Sequence, residues 1–336
     1  MTAGSRKETV FPKDEFAAKE VAWQLTFWLG PIFLCVLAGL FSFVSFTGNA
    51  AKRNVVIAYC AQDQTYAEEI FRDFQKETGI KVRAVYDSEA VKTVGLANRL
   101  LAERSHPQCD VFWGNEELRA RQLAEKHVFR ETNGLAFFGY RSRCLVFNTS
   151  HVAATSAPHS LVELTNAVWR GKVALAYPQF GTTAAHFHGL RQQWGDAAWE
   201  NWCRALVANK ALLVDGNSVV VKMVGRGEAW VGLTDSDDIA AGQEDGLPVA
   251  AASDFKETLL IPNTAGIVRG APHLAAAQKL FDYLQQPAVV QKLVAAKALQ
   301  GISIGDASIQ GLKVDWSALL KDLDSTTEKL NAIFLR

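Results

Sequence analysis

Residues 55–82 read VVIAYCAQDQTYAEEIFRDFQKETGIKV, and this stretch decides the fold. Asn54–Tyr59 (NVVIAY) is a short, nearly continuous apolar run, as carried by a strand covered on both faces. Tyr66, Ala67, Ile70, Phe71 and Phe74 then recur at helical spacing, and Gly79 supplies the stop. Ile80–Tyr86 (IKVRAVY) alternates as a strand does. Strand, helix and strand in this order form a βαβ unit, which implies a parallel sheet.

Downstream the same alternation continues. Ser88 can cap a helix whose apolar face is Ala90, Val94, Ala97 and Leu101. Asp110–Trp113 is a third strand, followed by a helix over Glu116–Lys126, so the sheet is doubly wound. Arg143–Asn148 (RCLVFN) is a strand leaving this first domain. A second series starts at Lys172–Ala176 and runs through strands at Ala211–Val214, Ala229–Leu233 and Pro248–Ala251, each separated by helical sequence. Thr258–Val268 is an extended apolar segment able to re-enter the first domain. The expected organisation is domain 1 over 52–147 and 258–311, domain 2 over 148–257, and an amphipathic C-terminal helix within 312–336. A cleft between the two α/β domains follows.

Upstream, no charged residue occurs from Val21 to Ala51. About 20 apolar residues span a bilayer core, so residues 21–47 suffice for a transmembrane anchor. Arg6, Lys7, Lys13 and Lys19 precede the run and place residues 1–20 in the cytoplasm, with the bulk of the chain on the periplasmic side of the inner membrane. A cleaved signal sequence is the alternative, but its apolar core is normally about 7–15 residues, so the length favours the anchor.

Over 336 residues, 35 basic side chains balance 35 acidic ones, which provides no field for capturing nucleic acid. A hydrophobic share of 49% excludes disorder. Five cysteines do not make a disulfide scaffold, and no repeat of solenoid period occurs.

The segments YDSEAVKTVGLANRLLAE, CDVFWGNE, WRGKVALAYPQFGTT, DGNSVV, GRGEAWVGLTDSDD and LLIPNTAGIVRGAP, together with residues 55–82, resemble in order and spacing the type II periplasmic solute-binding proteins, family 1, of bacterial ABC importers. The resemblance covers about Val55 to Leu299 and is closest to the ferric-iron branch. It implies a two-lobed periplasmic-binding-protein type II fold, two hinge crossings, ligand in the interdomain cleft, no catalysis and no cofactor, and delivery to an ABC permease and its ATPase.

Ligands of open parallel sheets sit beyond the carboxyl ends of the strands. The candidates there are Tyr59, Gln62, Asp63, Ser88 and Lys92 in the first domain, and Thr182, Thr183, Asn217, Ser218 and Asp235 in the second. Ser88, Thr182, Asn217 and Asp235 are equally ordinary helix caps. Ferric-binding relatives carry two adjacent tyrosines soon after a Val-Gly-Leu strand. Counting from Val231-Gly232-Leu233, Asp237 and Asp238 stand there instead, and the chain has no Tyr-Tyr dipeptide. Carboxylates are hard oxygen donors, so Glu89, Glu116, Asp237 and Asp238 form a candidate site for iron(III) or another hard cation as transported ligand. Alternatively, the lost tyrosines signal a small phosphorylated or carboxylated solute, held by Thr182, Thr183, Ser218 and Lys92.

An α/β hydrolase is a third reading. Gly301-Ile302-Ser303-Ile304-Gly305 fits G-x-S-x-G, but helical sequence precedes it and no histidine follows His273. His186 and His188 diverge on a helix and suit packing better than zinc. Trp194, Trp199 and Trp202 read as a packed helix pair.

Overall fold

In the computed structural model, residues 54–87, 92–308 and 311–335 are described. The tail at 1–20, the anchor or signal at 21–47, and Ser88 and Glu89 lie outside them. Among the described residues, no helix is long and apolar enough to cross a membrane.

The first lobe follows the βαβ reading. β1 (Val55–Cys60) pairs in parallel with β2 (Lys81–Val85) on one side and β3 (Val111–Gly114) on the other. Helices α1 (Gln64–Thr78), α2 (Lys92–Ala102) and α3 (Glu117–Glu125) follow the three strands in turn. Gly79 ends α1 in the left-handed region at φ 68°, and its N–H bonds to the Gln75 carbonyl. Ile70, Phe71 and Phe74 of α1 bury against Val56, Ala58 and Trp113. In α2 the buried stripe is Leu96, Ala97 and Leu100.

The exit strand is longer than expected. β4 covers Leu135–Asn148, 14 residues rather than the six read from sequence. Its first half pairs antiparallel with β9 (Leu260–Ile267), and its second half pairs with β7 (Val231–Asp235) and β8 (Val249–Ala251). Gly139 interrupts β4 at φ +57°, and the β4–β9 register shifts between Phe138 and Arg141. This bulge hides the strand's first half from a period-two reading. The change of partner from β9 to β7 falls at Ser142–Arg143.

In the second lobe β5 (Val173–Ala176) lies between β6 (Leu212–Val214) and β7. α4 (Gly181–Trp194) and α5 (Asp196–Ala208) follow β5, α6 (Asn217–Gly225) follows β6, and α7 (Ser236–Glu244) follows β7. Trp199 and Trp202 are buried in this lobe's core with Phe187 and Leu206, as a packed helix pair requires. The path of strands is β2-β1-β3-β9-β4-β7-β5-β6, so β4 is shared by both halves of a two-lobed α/β fold.

α8 (Leu274–Leu284) and α9 (Pro287–Ala295) cover the first lobe. The single C-terminal helix read from sequence is two, α10 (Trp316–Lys321) and α11 (Leu323–Phe334). The break falls at Asp322, whose carbonyl accepts from the Ser325 and Thr326 hydroxyls as well as from the Thr326 N–H. α11 packs on the second lobe through Leu330, Ile333 and Phe334. Leu319 and Leu323 join Leu118 of α3, Ala185 of α4, and Leu259 and Ile261 at β9 in one apolar cluster.

Candidate ligand-binding cleft

The carboxyl ends of β3, β5, β6 and β7 face one cavity of about 60 Å³. That is room for a few waters or a compact ion. Asp63, Thr93 and Asn115 line it from the first lobe, and Thr182, Asn217 and Asp237 from the second. α4 and α6 begin at its wall, with Phe180 and Gly216 as caps that offer no side-chain acceptor. Their first amides are therefore available to a ligand oxygen.

Arg141 and Arg143 stand two residues apart on β4 and are both buried. Arg143 Nη1 lies 2.5 Å from Asp235 Oδ1, and donates to Asn217 Oδ1 at 3.0 Å and Thr182 Oγ1 at 3.2 Å. Its Nη2 donates to Thr183 Oγ1 at 3.2 Å. Arg141 Nη2 reaches Asp235 Oδ2 at 3.2 Å, and its Nε lies 3.2 Å from Asp237 Oδ1. The Thr182 hydroxyl also donates to Asp235, at 2.9 Å. Burial alone would raise the Asp235 carboxyl, but Arg143 and Arg141 outweigh it and hold it below the usual range. Asp237 has only Arg141 beside it, which does not offset its burial. Burial first, with Asp235 and Asp63 adding to it against the pull of Arg141, pushes it up to about 7.

One carboxylate oxygen each from Asp235, Asp237 and Asp238 falls within 4.8 Å of the others. Asp237 Oδ1 makes no hydrogen bond, and neither does Arg141 Nη1, although both are buried. A cation could complete the first and a ligand oxygen the second.

The expected candidates divide. Asp63, Thr182, Thr183, Asn217, Asp235, Asp237 and Asp238 line the cavity. Ser218 lines an adjoining crevice with Asp63, Asp237 and Asp238. Tyr59 is buried in the first lobe's core, and its hydroxyl donates to Glu103 Oε2 at 2.8 Å, so it does not reach the cavity. Gln62 is buried and does not line the cavity, and its amide is without a hydrogen-bond partner among the described residues. Glu116 is a correction to the four-acid set. It caps α3, accepting from the Arg119 N–H at 3.0 Å, and burial raises it to about 7. Asp235 takes its place beside Asp237 and Asp238. Glu89 and Ser88 lie outside the described residues, as does the Lys92 side chain. His186 and His188 are buried, and desolvation lowers both to about 3, which matches packing. His186 Nε2 meets the Glu257 carbonyl at 2.6 Å. Ser303 caps a short turn by accepting from Gly305 N–H.

Arg141 and Arg143 were not among the sequence candidates. Their signal is legible in retrospect. Two charges at alternate positions of one strand, Arg141-Ser142-Arg143, point to the same face, and a strand buried on that face must pair them.

A family described as bacterial extracellular solute-binding protein matches residues 55–296. The chain is 28% identical over 223 residues to the Fe(3+)-binding periplasmic protein of Serratia marcescens, covering 61% of this chain and 63% of that one. It thus spans under two thirds of that relative's length. The fold is similar to iron-bound HitA from Pseudomonas aeruginosa (TM-score 0.73, 18% identity, 82% of this chain and 99% of that one). It is similar also to the ferric binding protein from Campylobacter jejuni (0.70, 15%, 83% and 99%). A third similar structure is AfuA from Actinobacillus pleuropneumoniae with exogenous fructose-6-phosphate bound (0.68, 17%, 82% and 96%). At these identities the likeness concerns the fold.

Proposed function

Because the chain belongs to the bacterial extracellular solute-binding protein family, we propose that it is the receptor of a periplasmic ABC importer that captures iron(III) or another hard cation. It binds and releases without chemistry and passes its load to a membrane permease driven by an ATPase. The proposed lobes, residues 52–147 with 258–311 and residues 148–257, meet on β4 and close over the cation, with 312–336 lying along them. The uncharged run at 21–47 supports an anchor in the inner membrane, with residues 1–20 in the cytoplasm.

The observation that carries the cation is the meeting of Asp235, Asp237 and Asp238 at the cleft. With Asp63, four carboxylates face only two guanidinium groups, Arg141 and Arg143. A cation relieves that imbalance, and the raised Asp237 carboxyl loses its proton to solvent as it ligates. The Fe(3+)-binding relative of Serratia marcescens supports iron as the metal.

A second reading has its own support. Arg141 Nη1 is buried and unpartnered, and two helix N-termini open on the cavity. These suit a small phosphorylated or carboxylated solute. Calorimetric titration of the full chain in detergent separates the two. Ferric citrate should bind wild type, with affinity rising as pH rises through about 7, since the Asp237 carboxyl must be ionised to ligate. Asp237→Asn with Asp238→Asn should abolish that binding and leave an anionic solute unaffected. Unchanged ferric binding in the double variant rejects the metal site. Tight binding of fructose-6-phosphate or citrate without metal favours the second reading.

A further inference from the structure

The carboxylates of the second lobe are not equally available to a cation. Asp235 is held by Arg143, Arg141 and the Thr182 hydroxyl. Asp237 differs. It is 5% exposed, and its Oδ1, although 3.2 Å from Arg141 Nε, accepts no hydrogen bond. Asp237 and Asp238 also line the crevice that adjoins the cavity, and Asp63 belongs to both walls. Across that crevice stands Tyr66, in the first turn of α1. Its ring packs against the first lobe's core, which restrains where its hydroxyl points.

We propose that Tyr66 is a ligand to the captured cation, bringing a phenolate oxygen from the first lobe against Asp237 and Asp238 of the second. This rests on the cation reading above. Two physical reasons favour it. Iron(III) prefers hard anionic oxygens, and phenolate is one, so Asp63, Tyr66, Asp237 and Asp238 form an all-oxygen set. Ligands from both lobes also couple binding to closing, and Tyr66 adds a second first-lobe oxygen beside Asp63. On binding, the phenol O–H bond breaks, the proton passes to solvent, and the phenolate donates a lone pair to the metal. The iron stays in the +3 state throughout.

Tyr177 lines the main cavity and is the internal control. The full chain in detergent is titrated with ferric citrate, while bound iron is measured by metal analysis and the visible phenolate-to-iron charge-transfer band by absorbance. Resonance Raman on that band identifies tyrosinate modes. Wild type should show the band in proportion to bound iron. Tyr66→Phe should lose the band and bind iron at least about tenfold more weakly, while Tyr177→Phe keeps both. Tyr66→His, which retains a metal-binding group, should hold iron without the band even if the phenylalanine variant folds poorly. Iron-loaded wild type without the band, or a band surviving in Tyr66→Phe, overturns the proposal while leaving the cation reading intact. No iron bound by wild type overturns both.

Discussion

Burial sets the chemistry of the single residues here. Arg143 is fully enclosed, and a lone guanidinium there would be prohibitive, so Asp235, Asn217, Thr182 and Thr183 surround it. Glu116 shows the opposite case. Its carboxylate caps α3 but sits fully buried, and the desolvation cost of its charge exceeds what Arg119 returns, lifting it to about 7. A carboxyl raised in the folded state destabilises the fold as pH climbs from its ordinary value, near 4.5, through 7. Glu116→Gln keeps an acceptor for the Arg119 amide and removes that penalty. It should leave stability unchanged at pH 4 and raise it by roughly 1–3 kcal/mol at pH 8. Denaturant melts at the two pH values test this, and a variant unchanged at pH 4 but less stable than wild type at pH 8 would show that the charge itself is needed.

Among the elements, β4 and the C-terminal pair α10 and α11 do what their sequence patterns hid. β4 carries both arginines at the point where it changes partners, so the charges that organise the cleft sit on the crossing strand itself. Gly139 makes this possible. Its φ of +57° is cheap only for glycine, and a Cβ would run into Leu299 and Val290. Leu319 of α10 packs between α3 and α4, so the C-terminal segment ties elements of both lobes beside β9. Leu319→Ala should cost roughly 2–4 kcal/mol in unfolding free energy from lost burial and the cavity left behind. It should also accelerate ligand release, measured by stopped-flow, because the tie across the lobes is loosened. A loss of stability with unchanged release would confine α10 to a packing role.

For the molecule as a whole, the expected motion is closure of one lobe on the other about β4 and β9. Dyes on Lys76→Cys of the first lobe and Arg226→Cys of the second, both well exposed, report it by energy transfer. Ferric citrate should bring the dyes closer in wild type and leave them unmoved in the Asp237→Asn, Asp238→Asn background. A ligand can shift a conformational equilibrium only through differential contacts with the two states, so closure in the double variant would place the decisive contacts elsewhere.

Periodicity alone determined the α/β class, the parallel first sheet, the return of the chain at 258–268 and most helix limits, because strand and helix periods are local properties of the chain. The tips of β5, β6 and β7 were legible as site material for the same reason: a strand's carboxyl end is known once the strand is. Only the tertiary structure decided which polar residues met. Glu116 and Asp237 look alike in sequence, each an acid at a helix start, yet one is used up as a cap and the other lies open to the cleft. Tyr59 and Tyr66, seven residues apart, turn to a core and to a crevice. Arg141 and Arg143 find their carboxylate 94 and 92 residues away. Charge pairing at such separation is set by how two sheets share one strand, and no local pattern encodes it.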